Sequence, residues 1–164
     1  MLRLLLLLVI VAGGVLQSTV VAVAGVGGVM PDVPLILTVL IALRYGPESG
    51  CLAGFVAGLL QDATGGGLVG VQAVTKALAG FGMGLLVGRF WVSNPLVQVP
   101  GLVLLSVAEG VGRFLLLQLF HYPAALGALM LHVILPQALY NGLIGTLCVL
   151  AEAGYELIRG RPWS

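Results

Sequence analysis

The sequence predicts an all-α polytopic membrane protein: one domain, 1–164, forming a bundle of six transmembrane helices. Three observations predict it. Of 164 residues, 60% are hydrophobic and 8% charged, whereas a soluble domain carries about 25% charged residues. Mean hydropathy is +1.16, so the chain cannot cover a globule with polar surface and its solvent must largely be lipid. The apolar runs are continuous rather than alternating, which excludes a barrel and leaves helices to satisfy the backbone in lipid. Finally, the basic residues sort between alternate loops. The net charge of +1 points to neither nucleic acid nor an acidic substrate.

The first span is read at about 4–24. Its basic start and Ala22-Val23-Ala24 imitate a signal peptide. The apolar stretch is nevertheless longer than the roughly 7–15 residues of a signal h-region, so an uncleaved span is expected. "GVGGVMPDVP" then breaks the pattern, and spans two and three follow at 33–43 and 50–60, separated by "RYGPES". Each would rise only about 17 Å as a helix, too short for a 30 Å core unless it extends into its flanks or re-enters. Span four is placed at 69–87, span five at 96–119 and span six at 124–150, the last with Pro136 inside and an expected kink.

With six spans, Arg3, Arg44, Arg89, Arg159 and Arg161 fall on one side, and the loops of the other side hold no Lys or Arg. That is a positive-inside split with both termini cytoplasmic and Asp62 at the outer face. Phe90, Trp91 and Trp163 sit where an interfacial aromatic belt belongs.

Two glycine ladders stand out: Gly50, Gly54 and Gly58 in span three, and Gly80, Gly84 and Gly88 in span four. Residues four apart share a helix face, and close backbone approach is what holds helices together in lipid. The simpler expectation is that the hairpin packs on itself; contact with a partner helix is the alternative.

Ionisable groups inside a membrane are functional suspects. Glu109 and Arg113 are four apart with the acid first, the orientation that favours a self-neutralising pair; a proton relay is the alternative. Asp62 ends span three at the end where Lys76 lies about two turns into span four, so Lys76 either pairs with Asp62 or snorkels outward. Asp32 is read, like Asp62, as lying at a membrane edge. Gln137 and Asn141 are four apart and expected to face the bundle interior as amide glue. His121 and His132 are read as solvated and as a helix contact. No enzyme is expected. There is no HExxH, no nucleophile elbow with a base and no phosphate loop after a strand. Neither a metal site nor a cofactor is expected, and Cys51 and Cys148 read as small buried hydrophobes.

Residues 31–81, "PDVPLILTVLIALRYGPESGCLAGFVAGLLQDATGGGLVGVQAVTKALAGF", resemble the rod shape-determining protein MreD family. The resemblance rests on the Pro-Asp that opens a short apolar span, the Gly after an Ala-Leu-Arg turn, the Gly-Phe-x-x-Gly-Leu-x-Gln-Asp run, and the downstream Lys and Gly. It implies a component of the bacterial inner (cytoplasmic) membrane that partners MreC. Through MreC it would meet MreB, RodA and the transpeptidase that builds lateral wall. It also implies a bundle resembling the substrate-binding components of energy-coupling-factor transporters. The family has no assigned catalytic residues. Two departures are the scarcity of aromatics and the early proline in span six. The leading expectation is a non-enzymatic scaffold of the cell-elongation complex supporting peptidoglycan synthesis and cell shape. The alternative is a vitamin-type transporter subunit with a ligand pocket near Gln61, Asp62, Gln72 and Lys76.

Overall fold

A computed structural model describes residues 2–21, 29–66, 68–90, 95–121 and 125–158. All the regular elements among them are helical: α1 (Leu2–Leu16), α2 (Val33–Gly65), α3 (Val71–Phe90), α4 (Pro95–Leu119), α5 (Leu126–Leu129) and α6 (Leu135–Ile158). Trp91, Arg159, Arg161 and Trp163 lie outside the described residues, and of Arg3, Gly88, Arg89 and Phe90 the backbone alone is described. The charge-sorted orientation therefore stands on the sequence.

α2 is broken in direction at its middle. Gly46 has φ 84 and ψ −177, and Pro47 follows it. Proline cannot continue the helical ladder, and the glycine conformation is closed to other residues. The chain reverses there. Gln61 Nε2 donates to Asp32 Oδ1 at 3.4 Å across 29 residues, a separation of about 43 Å had the helix been straight. A Cβ on Gly50 would meet the Ala42 side chain. α2 is thus two antiparallel limbs, 33–45 and 47–65, on either side of the turn that the sequence marks as "RYGPES".

α1 lies across both limbs, where Ile10 packs with Ile41, Ala53 and Ala57. On the far side, Val39 and Ala42 of the first limb meet Met83 of α3 and Leu102 of α4. The second limb and α3 approach most closely. A Cβ on Gly54 would fall on the Lys76 carbonyl, one on Gly58 on the Gln72 carbonyl, and Gly50 and Gly80 lie backbone to backbone. Gly84 seats the Gly46–Pro47 turn. Gly50, Gly54 and Gly58 of the second limb and Gly80 and Gly84 of α3 therefore pack within this chain.

α4 meets α6 through Gly142 against Val103 and Gly145 against Leu102, and meets the turn before α6 through Gly110 against Ile134. Between α5 and α6 a π-helical turn, Met130–Ile134, precedes Pro136. The proline has no N–H and its ring would strike the carbonyl four residues back; widening that turn relieves the conflict. A second π turn, Gln17–Val21, extends α1.

Among the described residues, three segments are long and apolar enough to cross a membrane: Val33–Gly65, Val99–Leu119 and Leu126–Cys148, with shorter apolar helices at Leu8–Thr19 and Val71–Leu86. The first of the three is the folded-back α2, so its 33 residues are two limbs and not one long span. Large apolar side chains point outward, among them Leu52, Leu78, Leu104, Leu139, Leu143 and Leu147, while Asp32, Asp62, Lys76, Glu109 and Asn141 are buried. This inversion is what lipid as solvent selects.

Candidate functional site

The site begins with the sequence Asp32-Val33-Pro34. Asp32 is the N-cap of α2: its Oδ1 accepts from the Leu35 N–H at 3.0 Å, and Pro34 sits in the first turn, where no intrahelical donor is needed. The first limb rises about 20 Å between the Gly46 turn and this cap. Asp32 is 1% exposed. Its carboxylate is therefore turned into the bundle and not toward solvent.

Lys76, 0% exposed, is the largest fully sealed side chain among the described residues. Helical side chains lean toward their helix N-terminus, which takes its ammonium up α3 to the Asp32 level. There Nζ lies 2.7 Å from Asp32 Oδ2, 3.3 Å from Glu109 Oε1 and 3.2 Å from Gln72 Oε1. An ammonium has three donors and no acceptor, and these three oxygens match them.

Neither expected partner of Lys76 and Glu109 is the one used. Asp62 does not meet Lys76. Its Oδ2 accepts from the Gly70 and Ala73 N–H groups at 2.8 and 3.2 Å, and its Oδ1 from the Gln72 N–H at 3.2 Å. It answers the unsatisfied amides at the start of α3, helped by the positive end of the helix dipole. It is also buried and not facing water at the outer surface. Glu109 turns to Lys76 instead of to Arg113 on its own helix, because an ammonium on the neighbouring helix offers a partner sealed from lipid. Arg113 stays half-buried, within electrostatic reach of Lys76.

The network continues into α4 and α6. Thr75 Oγ1 lies 3.0 Å from Glu109 Oε1 and 3.0 Å from the Val71 carbonyl, and its single proton serves one of them at a time. Asn141 Oδ1 accepts from the Asp32 N–H at 2.7 Å, and Asn141 Nδ2 donates to Ser106 Oγ at 3.2 Å. Gln137, expected beside Asn141, is partly buried and donates to the Met30 carbonyl at 3.2 Å. Gln17 accepts from the Val33 N–H at 3.0 Å. The entry to α2 is thus held by α1, α3 and α6 and by its own second limb. Among the described residues, Gln61 Oε1 is the buried side-chain oxygen without a hydrogen-bond partner.

His132 and His121 are exposed, and Cys51 and Cys148 are free and half-buried. No group of three metal-ligating side chains occurs among the described residues. Between Asp32 and Glu109, where two carboxylates face each other, the cation present is the Lys76 ammonium. Sequence reasoning missed Asp32 as the centre of the site. The signal was there: an Asp-x-Pro cap opening a short apolar span.

The fold and site define a polytopic, all-helical membrane protein whose charged side chains are turned inward and neutralise one another. The sequence itself narrows this further. The model of the family described as rod shape-determining protein MreD matches residues 1–153, and the chain belongs to that family. No curated protein matches the chain, and no solved structure does. The family is one of structural membrane proteins that determine rod cell shape.

Proposed function

We propose that the protein is a non-enzymatic scaffold of the bacterial cell-elongation complex. It binds MreC in the cytoplasmic membrane and, through MreC, associates with MreB, RodA and the elongation transpeptidase, supporting lateral peptidoglycan synthesis. The observation that carries this reading is the family match over residues 1–153. The interior agrees with it. Lys76 has its three donors engaged and Asp62 receives three backbone amides, which suits a rigid body that presents surfaces rather than a site that turns over substrate. The vitamin-type transporter reading needs Gln61, Asp62, Gln72 and Lys76 available to a ligand; Asp62, Gln72 and Lys76 have partners within the chain, and of Gln61 only Oε1 is left without one.

The reading includes six crossings, an energy-coupling-factor-like bundle and cytoplasmic termini. The two limbs of α2 supply the second and third crossings, and the arginine distribution supplies the orientation. Co-expression with MreC should yield a stoichiometric complex from mild detergent, and deleting the gene should round rod-shaped cells. Recovery of the chain free of MreC, with cell shape unchanged by its loss, would overturn the proposal. Reporter fusions after residue 121 and after residue 158 should report opposite sides of the membrane.

A further inference from the structure

The outer surface of the bundle is cut between α3 and α4 by a lateral cleft of about 200 Å³. Leu78 and Ala108 are exposed and form its lip, Ala79 and Gly112 line its wall, and buried Thr75 and Glu109 form its floor. Two features set it apart from the leucine-covered surface around it. Its walls carry Ala79, Ala108 and Gly112 beside Leu78 and Leu105, and small residues in lipid allow a neighbouring helix to come close. Its floor is polar, within a surface otherwise built for acyl chains.

The floor defines what would fit. Both hydrogen bonds that Glu109 accepts, from Thr75 and Lys76, fall on Oε1, and a carboxylate has about four lone-pair sites over its two oxygens. Acceptor capacity therefore remains beside the cleft. Thr75 can also release Glu109, because its proton has the Val71 carbonyl at the same 3.0 Å. The charges already balance: Asp32 and Glu109 face Lys76, with Arg113 half-buried one turn further along α4 and within reach of Lys76. A cation brought in from outside would upset that balance, whereas a neutral donor would not. An acyl chain has no donor. A transmembrane helix bearing Ser, Thr, Asn or Gln at that depth has one.

We propose that the α3–α4 cleft is the docking groove for a membrane partner's transmembrane helix, which sets a neutral hydrogen-bond donor against the Glu109 carboxylate. The cleft admits one side chain and not a whole helix, so the helix lies across the lip and inserts a single knob between Leu78 and Ala108. This inference rests on the scaffold reading and adds the face through which the scaffold binds.

The test uses the full-length chain in membranes, co-expressed with the partner that the scaffold experiment retains. A photo-crosslinking residue at Leu78 or Ala108 should join that partner, and one at Leu139 or Leu143, on the lipid-covered face of α6, should not. Ala108→Phe fills the cleft from an exposed position. It should lower the retained partner at least 10-fold while the chain's own melting temperature stays unchanged, with Leu139→Phe as the silent control. Leu78→Trp at the lip gives the same reading should Ala108→Phe lower the melting temperature. Replacing the partner's donor by Val should reduce retention comparably. Full retention by Ala108→Phe and Leu78→Trp, or crosslinks that arise from α6 instead, overturns the groove and leaves the scaffold reading standing. Crosslinks from Leu78 and Ala108 to phospholipid alone also overturn it, assigning the cleft to lipid. Absence of any partner from the unmodified chain overturns the scaffold reading and the groove together.

Discussion

Lys76 Nζ lies 2.7 Å from Asp32 Oδ2 with neither side chain reaching the surface, and this contact joins the start of α2 to the middle of α3. Each ion alone costs several kcal/mol to take out of water, and lipid offers no retreat for either. Removing one partner therefore strands the other. Asp32→Asn keeps the helix cap but removes the charge, and Lys76→Met leaves two carboxylates facing each other. Each should destabilise the protein by about 3–5 kcal/mol. The neutral triple variant Asp32→Asn, Lys76→Met, Glu109→Gln should lose far less than the three singles together. Reversible unfolding in mixed detergent measures all four, and additive losses would mean that the three groups do not act as a unit.

The glycine ladder makes a prediction about space. Gly54 has the Lys76 carbonyl where its Cβ would stand, while Gly82, on the same α3 as Gly80 and Gly84, has nothing within 4 Å. Gly54→Ala must push the second limb from α3 and should cost at least the ~1–3 kcal/mol of an overpacked core. Gly82→Ala should be neutral or gain up to about 1 kcal/mol from helix propensity. Thermal unfolding of both in one detergent decides it, and equal effects would show that propensity and not contact governs the ladder. Gly54→Leu and Gly58→Leu should fail to fold, so neither serves as a clean test of partner binding.

The sequence revealed most where the physics was one-dimensional. Apolar run length placed the helices, glycine spacing marked the seam, and the "RYGPES" break marked the turn of α2. The polar core was harder. Its partners lie on different helices, and sequence distance offered others: Arg113 for Glu109, because it is one turn away, and Asp62 for Lys76, as the alternative to snorkelling, because a hairpin joins them. Asp62 proved to be needed by the amides at the start of α3, a demand that spacing does not show. Asp32 was read as an edge residue with no partner named, and the groups that hold it, Lys76 and Asn141, come from other helices.

Asp62 should behave as a cap and not as an ion-pair partner. Asp62→Ala strips an acceptor from the Gly70, Gln72 and Ala73 amides, and loss of a cap costs about 0.5–2 kcal/mol. Asp62→Asn keeps one carbonyl acceptor and should retain part of that. Hydrogen exchange at residues 70–73 should quicken in Asp62→Ala, while the Lys76 environment stays as it was. Disturbance of Lys76 with slow amides at 70–73 would return Asp62 to the role of its counter-ion.

The reversal of α2 rests on one residue. Gly46 holds φ 84 and ψ −177 with nothing within 4 Å of where a Cβ would stand, so a side chain there meets backbone strain and no clash. That region of conformation is essentially confined to glycine and costs other residues about 1–3 kcal/mol. Gly65, near the end of the same α2, likewise has open space around its Cβ position but no positive φ. Gly46→Ala should therefore lose about 1–3 kcal/mol, and Gly65→Ala should stay within about 0.5 kcal/mol. The consequence extends beyond stability. The reversal brings Gln61 back to Asp32 and seats Pro47 on Gly84, so strain at the turn is transmitted to the charged core. Reversible unfolding of Gly46→Ala beside Gly65→Ala in one detergent measures the difference, and equal losses would show that the turn does not depend on glycine.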